Sequence, residues 1–420
     1  MVFDSFSAAQ GALLWSTFVL AIIMGATANK TNFCTMGAVS DMVNIGDFGR
    51  LRAWGLAVAV AMLGVTLFEV AGLTLPDQAF PPYRGSNLLW AEYLLGGFTF
   101  GVGMTLASGC GNKTLVRIGG GNIKSILVFI IIAIIAYFMI NPFPGSDQTL
   151  MSVLFLDWLR PLAISLKSKQ DLGSLISAEN SSAIRLALGI LIASGLIWLA
   201  FRSKDFRQEK DNVVGGLIVG LVILGAWLIS SNLMIDADGD NYSLLGYAQE
   251  WEFLAESEEG RPAETRPLSP QSFTFINPMG QTAGYLSAGA NSVYLTFGIM
   301  AVFGVILGSL LWSLVTRKFR IEWFASVKDF INHFIGAILM GFGGVLGMGC
   351  TIGQGITGVS TLALGSFMTL GAIIFGSTLT MKIQYYRMIY ENEASFLAAL
   401  ISSLVDLHLL PAKLRRLDAV

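Results

Sequence analysis

The sequence predicts an all-α membrane protein, a polytopic helical bundle of two inverted repeats whose short broken or re-entrant helices meet at the midplane. Three observations predict it. Of 420 residues, 54% are hydrophobic and only 13% are charged, a balance unlike that of a soluble globular domain. Apolar runs near the roughly 20 residues that cross a bilayer recur along the chain. A glycine-rich run, GFTFGVGMTLASGC, ends at Cys110 and returns as GAILMGFGGVLGMGC, ending at Cys350, 240 positions later (350 − 110) without a gap.

Taken in order, the apolar runs place spans over residues 11–28, 51–73, 90–106, 123–141, 183–201, 213–234, 292–316, 331–348 and 361–381. A weaker stretch over 394–410 is interrupted by Asp406 and His408 and reads as an interfacial segment. The first span follows the leader MVFDSFSAAQ, which has no basic n-region and no clear small-residue cleavage site. It is expected to be a retained helix and not a signal peptide. The three cysteines, an odd number set far apart in apolar surroundings, argue against a disulfide framework.

Orientation follows from basic residues in short loops. Loop 202–212 carries Arg202, Lys204, Arg207 and Lys210, and loop 317–330 carries Arg317, Lys318, Arg320 and Lys328. Between them lies the acidic stretch 235–290, with Arg261 and Arg266 as its only basic residues. The two basic loops are therefore expected on the cytoplasmic side and the acidic one outside. Its run ESEEGRPAETRPLSP has no periodicity and reads as an exposed connection. The expected division is residues 1–234, a first transmembrane repeat with intervening helices; 235–290, an extracytoplasmic connection; and 291–420, a second transmembrane repeat. A polar insertion at 165–182 carries no recognisable motif. The formal charge of −2 gives no reason to expect a nucleic acid partner.

The 240-residue shift places Gly96 on Gly336, Gly101 on Gly341, Gly103 on Gly343, Gly109 on Gly349 and Cys110 on Cys350, with Gly64 on Gly304 farther upstream. Five predicted spans separate the two cysteines. An odd count brings equivalent points in from opposite sides, as inverted repeats around a pseudo-two-fold in the membrane plane do. The segments GMTLASGCGNKTLVRIGGGN and GGVLGMGCTIGQGITGVST are too rich in glycine and polar groups for continuous lipid-facing helices. Irregular backbone at membrane depth persists only where protein or a cavity surrounds it. Each is expected to be a broken or re-entrant element, and the two would bring Cys110 and Cys350 together. The plainer alternative is that the glycines make close-packing surfaces and each buried cysteine is a small hydrophobe.

Cys34 closes the first span in GATANKTNFCTMGAVSDM, with Lys30 one turn before it and Asp41 two turns after. The shift pairs it with Thr274, so the repeat is imperfect there. Lys30, Lys113 and Arg117 sit within a few residues of a cysteine. Basic groups within membrane segments need a cavity or partners, and together they suggest an electropositive, sulfur-lined passage for a small anion. Snorkelling to the headgroups is the alternative, weightier for Lys30 than for the other two. His333 and His408 are isolated and read as helix-boundary or interface residues. No zinc or iron–sulfur ligand spacing and no GxxxxGK phosphate loop is present, so no metal or cofactor is expected.

The segments GATANKTNFCTMGAVSD, GGFTFGVGMTLASGCGNKTLVRIGGG, GVILGSLLWSL and GAILMGFGGVLGMGCTIGQGI resemble the YeeE/YedE family of bacterial inner-membrane proteins, whose best-understood member takes up thiosulfate. The resemblance covers both halves in order and includes all three cysteines. It implies an hourglass-shaped, pseudo-symmetric helical transporter of the inner membrane. It also implies that Cys34, Cys110 and Cys350 handle a small inorganic sulfur anion, passing it from thiol to thiol. Gly109, Gly349 and Gln354 complete the candidate set beside Lys30, Lys113 and Arg117. Family members commonly work beside a small cytoplasmic sulfur carrier of the TusA type, which makes such a protein a candidate partner.

Neutral thiols are weak donors suited to a soft sulfur without holding it tightly, and conduction needs sites that release what they bind. The chain is therefore expected to be a transporter and not an enzyme. A membrane-embedded sulfurtransferase or redox protein, using a persulfide or a transient disulfide, is the alternative; no obvious base and no Cys-x-x-Cys pair accompany it.

Overall fold

A computed structural model of the chain describes residues 1–237, 239–250, 267–390 and 395–418. Arg261, Arg266 and most of the acidic run around them lie outside the described residues. The first half begins with α1 (Phe6–Thr31), where the Ser5 hydroxyl accepts a hydrogen bond from the Ala8 amide at 3.3 Å. The helix ends at Asn32, whose left-handed φ of 52° is a conformation Asn tolerates. Next come α2 (Thr35–Asn44), α3 (Gly49–Val70), α4 (Trp90–Leu106), α5 (Gly111–Gly119) and α6 (Ile123–Ile140). They are followed by α7 (Ser181–Arg202) and α8 (Lys210–Ser231). The second half holds α9 (Ile276–Ser287), α10 (Phe297–Val315) and α11 (Val327–Leu346). It continues with α12 over residues 351–360, π-wound through Gly353–Gly358, then α13 (Leu364–Ile389) and α14 (Phe396–Asp406).

Strand structure is marginal. β1 (Val2–Phe3), β4 (Met234–Ala237) and β5 (Asp240–Ser243) form one small sheet, parallel then antiparallel, and β2 (Asn87–Leu88) pairs antiparallel with β3 (Ile164–Ser165).

Among the described residues, nine helical segments are long and apolar enough to cross a membrane. They match the nine expected spans in order, and the chain is a multi-pass membrane protein. Trp15, Ile130, Ile134, Leu191, Trp198 and Leu311 are exposed on the outside of the bundle, where lipid and not water satisfies them. The 394–410 stretch is α14, 11 residues long, about 16 Å and too short to span.

The packing repeats. Shifting by 240 carries α2 to α6 onto α9 to α13 in order. α1 packs on α10 while α8 packs on α3; α4 packs on α13 while α6 packs on α11; α6 packs on α9 while α13 packs on α2. α5 touches α10 and α6, while α12 touches α3 and α13. Where α4 meets α11, the crossing is reciprocal. A Cβ on Gly103 would meet the Gly336 carbonyl oxygen at 2.6 Å, and a Cβ on Gly336 would meet the Gly103 oxygen at 2.6 Å. Gly96 and Gly343 oppose each other in the same way, so the helices run antiparallel and only glycine admits so close an approach.

The basic loops share one face: Lys318 and Arg320 line a cavity with Asn32 and Arg50, and Ser203, Asp205 and Glu209 line a neighbouring one with the same two residues. At the opposite face the 165–182 insertion, which carries no sequence motif, supplies Asp171 to a buried ion network. Arg185 reaches Asp171 at 3.2 Å and Glu69 at 2.9 Å, and Arg84 reaches Glu69 at 2.7 Å and Asp77 at 2.9 Å. The stretch 235–290 is not uniformly a connection, since Phe273, Phe275 and Ile276 are fully buried and α9 packs against α6, α10 and α11.

Candidate functional site

Two helices break in the same way. α4 stops where Ser108 turns left-handed (φ 57°); the Ser108 amide donates to Thr105 O at 3.2 Å and the Gly109 amide to Met104 O at 2.8 Å. α11 stops where Met348 turns left-handed (φ 54°); its amide donates to Val345 O at 3.0 Å and the Gly349 amide to Gly344 O at 2.8 Å. Every participant is related by the 240-residue shift. Gly349, at φ 157°, completes the second turn. Each break ends in a cysteine outside the helices, extended at Cys110, and a new helix, α5 after Cys110 and α12 after Cys350. α2 begins likewise at Cys34 in an extended conformation (φ −163°), and α9 at Phe275, directly after Thr274. Four helix N-termini therefore start at or beside Cys34, Cys110, Cys350 and Thr274, each presenting amides not used within its helix.

All three cysteines are buried and free. The Cys34 and Cys110 side chains are neighbours, and the Thr351 hydroxyl, which has no hydrogen-bond partner, lies beside Cys110. Lys113 and Arg117 act on Cys34 electrostatically from α5. Cys350 is surrounded by backbone, with the Gly353 amide donating to its Sγ at 3.5 Å and the Ile352 and Phe275 amides alongside. Cys110 is thus beside Cys34 and Thr351, while Cys350 sits among the starts of α9 and α12. Thr35, Asn112, Thr274 and Gln354 each keep a buried side-chain oxygen without a partner. Buried polar groups ordinarily find a hydrogen-bond partner.

Cavities approach from both faces. On the basic face a cavity of about 380 Å³ is lined by Lys113, Arg117, Arg50, Lys318 and Arg320, with Glu322 as its one carboxylate. The Lys113 ammonium donates to Asn32 Oδ1 at 3.2 Å, and Asp41 holds Arg50 through both carboxylate oxygens. On the opposite face a cavity of about 600 Å³ has no charged residue among the described residues that line it; Asn141, Asn277, Gln281, Tyr285 and Tyr294 supply its polar lining and Phe80 part of its wall. Below it a void of about 10 Å³ reaches Thr274.

Of the residues singled out in the sequence, the fold places Cys34, Cys110, Cys350, Lys113, Gly109 and Gly349 in or beside this centre, with Arg117 at the basic cavity. Gln354 is buried and its Nε2 donates to Gly347 O at 2.7 Å, which braces the turn before Cys350. Lys30 stands apart, half-exposed, 5.7 Å above the Trp312 ring and 3.9 Å from Asp211. His333 bonds Asp329 O at 2.8 Å at the start of α11. Among the described residues, no group of three or more His, Cys, Asp or Glu is placed to hold a metal ion. Arg50, Asn32, Arg320, Thr351 and Tyr83 escaped the sequence reading. For Thr274 a signal existed, its alignment with Cys34 under the shift.

Comparison with known proteins bears on the same residues. A family model described as sulphur transport matches residues 30–379, which holds all three cysteines. The chain is 22% identical over 400 residues to the thiosulfate transporter TsuA of Escherichia coli (strain K12), covering 90% of this chain and 96% of that one. It is 23% identical over 371 residues to the thiosulfate transporter TsuA of Spirochaeta thermophila, covering 87% and 97% respectively.

Proposed function

The chain belongs to the sulphur transport family, and on that premise we propose that it is a bacterial inner-membrane transporter that takes up thiosulfate along a central passage lined by Cys350, Cys110 and Cys34. The single observation that carries the passage is the convergence of the cysteine-led helix starts between a neutral cavity and a basic one. Thiosulfate is a dianion with one terminal sulfur and three oxygens. Stripping its water at mid-membrane is prohibitive unless the protein substitutes donors. Free amides at helix starts suit the oxygens, and neutral thiols suit the sulfur while holding it weakly enough to release it.

The two halves are read as an inverted pair about a pseudo-two-fold in the membrane plane. Support comes from the reciprocal contacts of Gly96 with Gly343 and Gly103 with Gly336, and from the mirrored packing of α1 to α6 and α8 to α13. The α4–α5 and α11–α12 pairs then act as the broken elements. With the basic loops in the cytoplasm, the order of passage is Cys350, then Cys110 and Cys34, then the basic cavity. That cavity would present the cargo to a cytoplasmic sulfur carrier of the TusA type. The closeness of Cys34 and Cys110 also keeps open a sulfurtransferase or redox reading, in which one thiol takes the terminal sulfur of thiosulfate as a persulfide and releases sulfite, and the other then displaces hydrogen sulfide to leave a disulfide; intact mass after exposure to thiosulfate separates the readings, since a transporter shows neither an added sulfur nor the loss of two hydrogens.

The test of transport is uptake of labelled thiosulfate into cells lacking other routes. Wild type accumulates label, and Cys110→Ala and Cys350→Ala do not. Accumulation by both variants at the wild-type rate overturns the passage.

A further inference from the structure

Cys350 and Cys110 occupy equivalent positions, yet their neighbours differ. Position 34, a thiol beside Cys110, becomes position 274, a hydroxyl, beside Cys350. Thr274 is 8% exposed and its Oγ1 has no hydrogen-bond partner. Its hydroxyl lies against the turn that carries Cys350, since a Cβ on Gly349 would meet Thr274 Oγ1 at 3.4 Å. A second orphan sits nearby. Tyr83, 2% exposed in the loop between α3 and α4, has an unpartnered hydroxyl, and the Phe80 amide of the same loop donates to Pro270 O at 2.9 Å, on the segment that leads to Thr274. Buried tyrosine hydroxyls ordinarily find a partner.

Neither residue is loosely placed. Arg84, next to Tyr83, donates to the Thr361 carbonyl at 2.8 Å, at the far end of α12 from Cys350. Thr357 on α12 donates to Phe273 O at 2.7 Å, and Ser272 donates to Ile223 O at 2.8 Å, which pins the strand leading to Thr274. The small void below the neutral cavity ends at Thr274, with Phe80 of the Tyr83 loop in its wall.

We propose that Tyr83 and Thr274 are specificity-determining residues of the Cys350 station, their two hydroxyls donating to the sulfonate oxygens of the incoming anion while the Cys350 thiol meets its terminal sulfur. This deepens the transport reading and rests on it. The oxygen end is read here, at a thiol flanked by hydroxyls; at Cys110 and Cys34, thiol meets thiol. A site built to hydrogen-bond a ligand discriminates strongly, because its buried donors go unpaired when the wrong ligand enters.

The test uses the full-length protein with Tyr83→Phe and Thr274→Val, which keep shape and delete one hydroxyl each. Each is expected to raise the thiosulfate concentration for half-maximal uptake roughly tenfold, the size of one hydrogen bond to a charged group. The Tm of the ligand-free variants in detergent stays level or rises, because an unsatisfied buried hydroxyl has gone, and the rise in Tm on adding thiosulfate shrinks. Wild-type half-saturation in both variants overturns the assignment, as does a loss of uptake matched by a fall in ligand-free Tm, which marks a structural role. Absence of thiosulfate uptake by the wild-type protein refutes the transport reading itself; wild-type uptake with unaffected variants refutes only the hydroxyl pair.

Discussion

The Cys34 and Cys110 side chains are neighbours, which brings the start of α2 to the start of α5, while Cys350 has backbone amides around it. A two-electron oxidant such as diamide should therefore take one hydrogen from each of Cys34 and Cys110 and leave a disulfide between them. Peptide mapping is expected to find that link with Cys350 still free, and uptake to fall and return with dithiothreitol. A disulfide that includes Cys350 contradicts the arrangement.

Lys113 reaches the basic cavity from the first turn of α5, four residues before Arg117, and is expected to set the sign of the ligand there. Lys113→Gln should lower thiosulfate uptake about tenfold and Lys113→Arg much less, with the gap narrowing at high ionic strength because charge steering is screened. Initial rates in proteoliposomes at two salt concentrations decide it. Equal rates for Lys113→Gln and wild type remove the residue from the passage.

At the α4–α11 crossing a methyl group on either helix meets the other's backbone oxygen at 2.6 Å. Gly103→Ala and Gly336→Ala are each expected to cost about 1–3 kcal/mol, the usual penalty for overpacking. The two losses should be similar in size, because the contacts mirror each other. Thermal unfolding in detergent measures both.

Asp77 lies outside the spans. Burial opposes its charge, but hydrogen bonds from Lys169 and Arg84 outweigh that and hold its carboxyl below the usual value of 3.8. A depressed folded value means the stabilisation is complete above about pH 4 and is lost as the pH falls through the lower folded value. Asp77→Asn should therefore have a lower Tm than wild type at pH 6, with the difference closing at acidic pH. A difference that persists unchanged at pH 3 rules out the ion pair as its source.

Hydropathy made the nine spans legible because each must match the bilayer in length, and the repeat made the two breaks legible because glycine and cysteine recur in register. What escaped was polar and self-satisfied. Asp171, fully buried, sits in an insertion that reads as loop, because its partners Arg185 and Ser174 are hidden by the same fold that hides it. α9 escaped for a related reason: it is 12 residues long, too short to register as a span, and lies wholly within the stretch 235–290 that reads as an acidic connection. Asp406, which interrupts the last apolar run, accepts hydrogen bonds from Lys382, Tyr386 and Arg415 and anchors α14. Tyr83 carries no pattern at all in the sequence; only its buried, partnerless hydroxyl marks it.

The packing of α1 on α10, matched by that of α8 on α3, has a consequence for biosynthesis. Gly25 packs against the Val305 backbone, 280 positions later (305 − 25). At roughly 5–20 residues per second, α1 leaves the ribosome some tens of seconds before its partner exists. During that interval α1 can pack on α8, but its Gly25 face has no partner. Assembly is thus completed late in translation, and a chain truncated before α10 leaves that face of α1 open to lipid and the chain open to quality-control proteolysis.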